Sequence, residues 1–158
     1  HDALPIYYIE NRLKFSPYIK DAAVLGSGRD TLSAIICIDK EAVGLWAELR
    51  GISYISYADL SQKPQVIALI AAAVKHVNSA LPHGLQLRKF VCLHKEFDAD
   101  DGEITRTRKI RRNVVEERYK PIIDAIYGHQ NTVLMKAKVS YESGEVGVIE
   151  RTLSVQEA

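Results

Sequence analysis

Apolar residues recur every three or four positions in several stretches of this sequence, which is the spacing of an amphipathic helix. Near the start, Ile6, Ile9 and Leu13 share one face of a predicted helix, and Pro17 ends it. The chain therefore opens with a helix whose apolar face needs a partner in the rest of the molecule.

Two further helices are marked by their end signals as well as by their spacing. Asp39 is a suitable N-cap for a helix over residues 40–50, which Gly51 can close. Pro64 opens the clearest helical pattern in the chain, since proline is favoured in a first turn. The apolar positions of that helix are Val66, Ile70, Ala73, Val74, Val77 and Leu81.

A last helical stripe follows the most charged part of the chain. Proline lacks a backbone N–H and clashes with the preceding turn, so Pro121 should kink this helix or start a new one. The apolar positions of the stripe are Ile110, Val114, Ile122, Ile123 and Ile126.

Other stretches have strand character. Residues 22–39, AAVLGSGRDTLSAIICID, predict two strands around a glycine-containing turn. Residues 89–93, KFVCL, predict a short interior strand because both of its faces are apolar. Residues 52–62 predict a polar connection that carries tyrosines.

The tail has the two-residue period of a strand with one buried face, and the turn ESGE at residues 142–145 sends it back as a hairpin. A lone hairpin is marginal in water. Its apolar face should therefore extend or cover the main sheet, or pair with a second copy in a dimer. The apolar positions are Val133, Met135, Ala137, Val139 and Tyr141, then Ile149, Leu153 and Val155.

These patterns predict an α+β fold, with a short central β-sheet flanked by helices and a C-terminal β-hairpin. We assign residues 1–128 to the domain and residues 129–158 to the hairpin extension. The 158 residues suit one domain, and 47% hydrophobic with 26% charged residues is typical of a globular protein. The start at His1 rather than Met predicts a fragment of a longer chain.

Charge and cysteine content limit the expected binding partners and the expected cellular compartment. The net charge of +1 provides no global field for nucleic acid. Cys37 and Cys92 lie in apolar runs, which indicates buried thiols in a reducing compartment. No apolar stretch approaches the roughly 20 residues of a membrane span, and no signal peptide is visible. We expect a cytoplasmic protein, with peripheral membrane association of a parent enzyme as the alternative.

Several kinds of site lack their residues. The five histidines have no metal-ligand spacing, so no metal site is expected, and no G-x-S-x-G motif supports hydrolase chemistry. Gly26 and Gly28 are followed by a β-rich run, whereas a phosphate loop requires a helix. The acidic run fails as a calcium loop, because Phe97 and Ala99 fall where carboxylates are needed.

The densest acidic patch stands directly before the densest basic one, in FDADDGEITRTRKIRR, residues 97–112. One interpretation is a solvated loop in which the acidic residues neutralise the neighbouring basic residues and keep the basic loop on its own domain. Another is a phosphate- or nucleic-acid-binding patch. Nucleic acid is disfavoured, because no aromatic residues interleave with the bases and the acids would repel a polyanion. We expect residues 98–108 to be loosely packed and mobile.

Three separated segments of the chain match a known protein family in their order and spacing. YIENRLKFSPYIKDAAVLGSGR, DLSQKP and FDADDGEITRTRKIRRNVVEERY resemble the small C-terminal domain of the adenylate-forming enzymes, most closely the long-chain fatty acid–CoA ligases. The similarity runs from about Tyr7 to about Tyr127. The resemblance implies a lid domain that rotates against a large N-terminal adenylation domain between two half-reactions.

The family loop T-x-S/T-x-K-I/V-x-R matches TRTRKIRR, which makes Lys109 the candidate catalytic lysine. The same resemblance suggests CoA or phosphate contacts for Glu10, Arg106 and Arg108. The family also has a glycine- and proline-bearing loop before its Ile-Glu pair. Here His1 and Ile6 stand at those positions, so a CoA-contact role for residues 1–6 is not carried over.

The implied parent reaction converts ATP, a fatty acid and CoA to acyl-CoA, AMP and pyrophosphate, with Mg²⁺. This chain has no Ser/Thr/Gly-rich phosphate loop and is too short for an acyl pocket, so alone it should be inactive and bind none of these cofactors. The alternative is a non-catalytic module that uses the basic run 106–112 to bind a phosphorylated ligand or a protein.

Overall fold

The computed structural model describes residues 3–140 and 143–158, and for residues 3–5 and 137–140 it describes the backbone alone. Its helices are α1 Ala3–Leu13, α2 Lys40–Leu49, α3 Tyr57–Ser61, α4 Pro64–Ser79, α5 Arg112–Arg118 and α6 Lys120–Tyr127. Its strands are β1 Ile19–Leu25, β2 Leu32–Ile38, β3 Leu87–Cys92, β4 Thr132–Ser140 and β5 Val146–Glu157. This mixed architecture confirms the predicted fold class.

The five strands form one mixed sheet in the order β1-β2-β3-β5-β4. β1 and β2 pair antiparallel across a tight connection, and β2 and β3 pair parallel. A parallel pair needs a long crossover, which here carries α2, α3 and α4. β5 then adds antiparallel to β3, and β4 lies outside β5.

β1, β2 and β3 are apolar on both faces because helices cover both sides of the sheet there. Ala22 and Val24 of β1 point into a core shared with α1, α2 and α4. Ala23 and Leu25 point into a second core shared with α5, α6 and the hairpin. The continuous apolar runs of the sequence follow from this double coverage.

The predicted end signals of α2, α4 and α6 are confirmed, but the last apolar stripe is wrong in its first half: Ile110 lies before α5, and Val115 rather than Val114 is the buried residue of that helix. The Asp39 side chain accepts a hydrogen bond from the Ala42 N–H at 3.0 Å and caps α2. α4 begins at Pro64, and its buried residues fall on the predicted face. Pro121 stands in the first turn of α6, a new helix that follows α5 directly.

Residues 52–62 contain a helix that the sequence analysis did not predict. Ser56 accepts a hydrogen bond from the Asp59 N–H at 3.0 Å and caps the single turn of α3. Leu60 of this helix is fully buried in the first core. The S-x-x-D pattern was the missed sign of a helix start, because short helices rarely show a full apolar stripe.

The C-terminal hairpin extends the main sheet, as predicted. Val133, Met135 and Leu153 are buried in the second core. The Gln62 side chain joins the hairpin to the sheet: its Nε2 donates to the Cys92 carbonyl at 2.7 Å, and its Oε1 accepts from the Ser154 N–H at 3.0 Å. The predicted inward side chains of Ala137, Val139 and Tyr141 lie outside the described ones.

The division into a domain 1–128 and an extension 129–158 stays a prediction, although both parts share one sheet. None of the described helices is both long and apolar enough to cross a membrane.

Candidate functional site

Lys109 lies at the tip of a closed loop between β3 and α5. An isolated bridge joins Ile104 to Ile110 across the base of the loop. Inside it, the Thr105 N–H donates to the Lys109 carbonyl at 2.8 Å, and the Lys109 N–H donates to Thr105 Oγ1 at 3.0 Å. Ile104 is buried in the second core, whereas Lys109 is exposed. The loop therefore has an apolar foot and a solvent-facing cation.

An open cleft of about 330 Å³ adjoins Lys109, between the loop, the second half of α1 and β1. An anionic group could approach Lys109 through this cleft. Its lining residues are Tyr7, Glu10, Asn11, Lys14, Ala22, Arg108, Lys109 and Ile110.

Glu10 is held inside the molecule by an arginine just after the loop. Arg112 Nη2 donates to its two carboxylate oxygens at 3.0 and 2.9 Å, and the Val24 N–H donates to the second oxygen at 2.8 Å. Burial raises the pKa of Glu10, against the opposing effects of the Val24 N–H and Arg112. These contacts fasten α1, β1 and the start of α5 together.

Arg108 makes the second long-range contact of the basic run, an ion pair with Asp21 of β1. Asp21 is only 1% exposed, whereas Arg108 remains partly exposed. Arg106 is an exposed side chain on the same loop. Thus two of the three residues with predicted ligand contacts, Glu10 and Arg108, are engaged by protein partners, and ligand contact by all three stays a prediction.

The acidic run does not hold the basic run in the part of the chain described. Arg108 and Arg112 pair with Asp21 and Glu10, which lie about 90 to 100 residues earlier. Glu103, the last acid of the run, instead binds Lys95 and lies within 3.3 Å of Arg118. The hypothesis that the neighbouring acids restrain the basic loop is therefore wrong for these residues.

Loose packing of residues 98–108 is also wrong for part of that range. Glu103 is fully buried and Ile104 belongs to the second core. Gly102 adopts a positive φ of 75°, which fits the turn that leads into this anchored segment. Residues 98–101 and the loop tip at residues 105–109 are exposed on either side of this anchored segment.

A second electropositive feature lies toward the other end of β1, at the β1–β2 turn. Arg29, Arg88, Lys89 and His129 line an open cleft of about 440 Å³, in which Asp30 is the one acidic lining residue. The guanidinium of Arg29 stacks 4.5 Å from the ring centre of Tyr127, which also lines the cleft. Sequence reasoning missed this cluster because its cations come from distant segments. Gly26 and Gly28 lead into β2 as predicted, so no phosphate loop forms there.

No three His, Cys, Asp or Glu residues within 3–140 and 143–158 are arranged to hold a metal ion.

A mixed sheet flanked by helices in this arrangement has the fold of the C-terminal part of adenylation domains. Two solved structures share it: the A-PCP didomain of carboxylic acid reductase from Segniliparus rugosus in complex with AMP, and the adenylation domain of a carboxylate reductase from Mycobacterium chelonae. Their TM-scores are 0.58 and 0.59 at 19% and 22% identity, over 78% of this chain and 16% and 18% of theirs.

Sequence comparison then settles the family. The profile of the AMP-binding enzyme C-terminal domain matches residues 3–131, and the chain belongs to this family. The profile ends beside Thr132, where β4 begins.

Curated relatives are fatty acid–CoA ligases. The long-chain-fatty-acid–CoA ligase FadD15 of Mycobacterium tuberculosis is 38% identical over 77% of this chain and 20% of its own length. The putative fatty-acid–CoA ligase fadD11 of the same species is 32% identical over 77% of this chain and 21% of its own. The ligase ACSBG2 of Gallus gallus is 40% identical over 46% of this chain. The chain thus spans about a fifth of the length of the first two relatives.

Proposed function

We propose that this chain is the mobile C-terminal domain of a long-chain fatty acid–CoA ligase and that it supplies the catalytic lysine, Lys109. The parent would join a fatty acid to CoA through an acyl-adenylate, with release of pyrophosphate. The observation that carries the proposal is the exposed Lys109 at the tip of a loop anchored at Ile104 and Arg112. The similarity to long-chain fatty acid–CoA ligases supports the substrate class.

Lys109 suits the adenylation step on physical grounds. A carboxylate must approach the α-phosphate of ATP, and these two anions repel each other. A compact cation on a flexible stem can contact both and stabilise the charge that develops at phosphorus. Because Lys109 is exposed at the surface of the domain, rotation of the domain can bring the lysine to the phosphate and withdraw it for thioester formation.

The large N-terminal adenylation domain is the partner in this proposal. It would bind ATP with Mg²⁺ and the fatty acid, since the described residues offer neither a metal cluster nor a phosphate loop. We place the parent in the cytoplasm, where ATP and CoA are available, and expect the isolated chain to be inactive.

Two features could receive the phosphate groups of CoA. Arg106 is exposed beside Lys109, which keeps its guanidinium available to an anion. The cleft lined by Arg29, Arg88 and Lys89 gathers three permanent cations around one opening. We propose the cleft as the stronger candidate, because it gathers several cations whereas Arg106 is a single one. Glu10 and Arg108 are weaker candidates, since Arg112 and Asp21 already engage them.

The test separates the two half-reactions in the full-length protein that carries this chain. Lys109→Ala should slow adenylation by roughly 10²–10³-fold, about 3–4 kcal/mol, the scale of deleting one preorganised electrostatic group. Thioester formation from preformed acyl-adenylate should change far less. Pyrophosphate exchange and acyl-CoA production from synthetic adenylate measure the two steps separately.

Lys40→Ala is the matched control, because Lys40 is an exposed lysine at the start of α2, remote in sequence from the loop. It should leave both steps unchanged. An equal loss of both half-reactions in Lys109→Ala would contradict the role proposed for Lys109.

A further inference from the structure

We propose that the ion pair between Arg108 and Asp21 tethers the loop tip, which makes Arg108 the positioning residue for Lys109. The catalytic meaning of the tether rests on the proposed function, but the tether itself concerns only the described chain. Arg108 directly precedes Lys109, so a restraint on its side chain restricts the backbone from which Lys109 projects.

Asp21 supplies a strong reason for the contact. Its carboxylate is buried on β1, where its register partner on β2 is the buried Cys37. A buried carboxylate needs a cation or hydrogen-bond donors to offset its lost hydration. Within the described side chains, Arg108 is the donor recorded to this carboxylate. The negative charge of Asp21 therefore draws the loop tip toward β1.

The backbone of Arg108 points to the same conclusion. Its φ is 63°, in the left-handed region that favours glycine and disfavours arginine. Glycine would fit this turn with less strain, yet it would offer no side chain for Asp21. An arginine at this position is thus explained by its ion pair and not by the turn.

Local hydrogen bonds transmit the restraint to Lys109. The Arg108 N–H donates to the Thr105 carbonyl at 2.9 Å, and the Thr105 N–H donates to the Lys109 carbonyl at 2.8 Å. The turn is therefore closed on both sides of residue 108. The other anchors, Ile104 and Arg112, lie at the base of the loop, so the contact with Asp21 is the long-range restraint nearest the tip.

Amide hydrogen exchange and ¹⁵N relaxation on the 158-residue chain test the tether without any activity assay. Arg108→Gly keeps the positive φ accessible and removes the side chain, but glycine also frees the backbone. Asp21→Asn therefore serves as the variant that breaks the ion pair and leaves residue 108 unchanged. We expect the amides of Arg108 and Lys109 positions to exchange about tenfold faster or more, the scale of losing one charged hydrogen bond. Arg108→Lys should restore part of the protection, because it keeps the charge.

Asp21→Asn should loosen the same amides, and combining it with Arg108→Gly should add little to either single change. The double variant also covers the case in which one single change alone unfolds the chain, because it leaves no buried unpaired carboxylate. Arg106→Ala, on the same loop, should leave the exchange rates within about twofold, as expected for an exposed side chain. Unchanged exchange and relaxation at the loop tip in Arg108→Gly would overturn the tether.

The full-length protein then separates this inference from the proposed function. A tether that positions the lysine predicts that Arg108→Gly lowers kcat of adenylation with little change in KM for ATP. If the loop loosens but adenylation is retained even in Lys109→Ala, the tether stands and the role of Lys109 fails. If Lys109→Ala abolishes adenylation while Arg108→Gly leaves the loop rigid, the role of Lys109 stands and the tether is overturned.

Discussion

Glu103 shows how a single buried charge can organise this domain. Its carboxylate accepts hydrogen bonds from Lys95 Nζ at 2.5 Å, from the Asp98 N–H at 2.9 Å and from the Tyr119 hydroxyl. Burial alone would raise the pKa of Glu103, but these hydrogen bonds outweigh it and hold the pKa below its usual value of 4.5. The residue therefore joins the loop after β3 to the end of α5 as an anion.

A carboxyl group with a lowered pKa binds fewer protons in the folded than in the unfolded state. Its contribution to stability is present above the unfolded pKa and is lost as pH falls through the folded one. We expect Glu103→Gln to lose about 3 kcal/mol of unfolding free energy at pH 7, the scale for breaking a buried pair. The variant should also lose less stability than the parent chain below pH 4.5.

Urea unfolding at a series of pH values measures both effects. Glu117→Gln is the control, because Glu117 is exposed on α5. An acid-induced loss of stability in Glu103→Gln as steep as in the parent chain would show that Glu103 does not carry this pH dependence.

At the same scale, a sequence motif made Lys109 the candidate lysine but gave no sign of the contacts that anchor its loop. A local motif marks the lysine, since its neighbours along the chain carry the information. Asp21 and Glu10 are separated from Arg108 and Arg112 by 87 and 102 residues, so their pairing depends on the folded sheet. Sequence reasoning had assigned the charge balance to adjacent acids because proximity along the chain was the only proximity it could use.

Among the elements, predictions succeeded where period and end signals agreed. α4 combines a proline start with a long apolar stripe, and the hairpin combines a two-residue period with a glycine turn. α3 was missed because five residues cannot display a helical period. The apolar face of the hairpin predicted that it would join the main sheet or pair with a second copy, whereas its place beside β3 and its register with β3 could not be predicted.

The hairpin provides a matched pair of leucines for a stability test. Leu153 of β5 is 0% exposed in the second core, whereas Leu134 of β4 is 54% exposed on the outer face. Leu153→Ala should cost about 3 kcal/mol through lost burial and a residual cavity. In a chain of this size that lowers Tm by roughly 6–12 °C.

Leu134→Ala should change the unfolding free energy by less than about 0.5 kcal/mol, because it removes little buried surface. Differential scanning calorimetry of both variants decides the matter. Equal effects of the two changes would mean that the hairpin is not packed against α6 as described.

At the scale of the whole molecule, the chain presents cations without a complete nucleotide site. Lys109 and Arg106 are exposed at one loop tip, and Arg29, Arg88 and Lys89 line an open cleft. We expect the isolated chain to bind ATP and DNA only weakly, because a few exposed charges are screened at about 0.15 M salt. Calorimetry with ATP and anisotropy with DNA provide the measurement. Sub-micromolar affinity for DNA would favour the binding-module alternative, whereas sub-micromolar affinity for ATP would contradict the assignment of this chain to the C-terminal domain.

β4 leaves one strand edge of the sheet without a partner strand among the described residues. Such an edge can pair with a second copy, so a dimer through the hairpin stays a prediction. Sedimentation velocity over a wide range of concentrations should show self-association that Leu134→Lys reduces, because a charge on an edge strand opposes pairing. A chain that stays monomeric throughout would exclude this dimer.

The strand order also determines when the sheet can be completed during folding. β4 precedes β5 along the chain, yet β5 is the strand that contacts β3. β4 can therefore join the sheet only through β5, once β5 has paired with β3. This order favours a hairpin that forms locally and docks late as a unit. Contacts made after the transition state slow unfolding without hastening folding. The hairpin would thus lower the unfolding rate of the domain and prolong the lifetime of the folded state, with little effect on the folding rate.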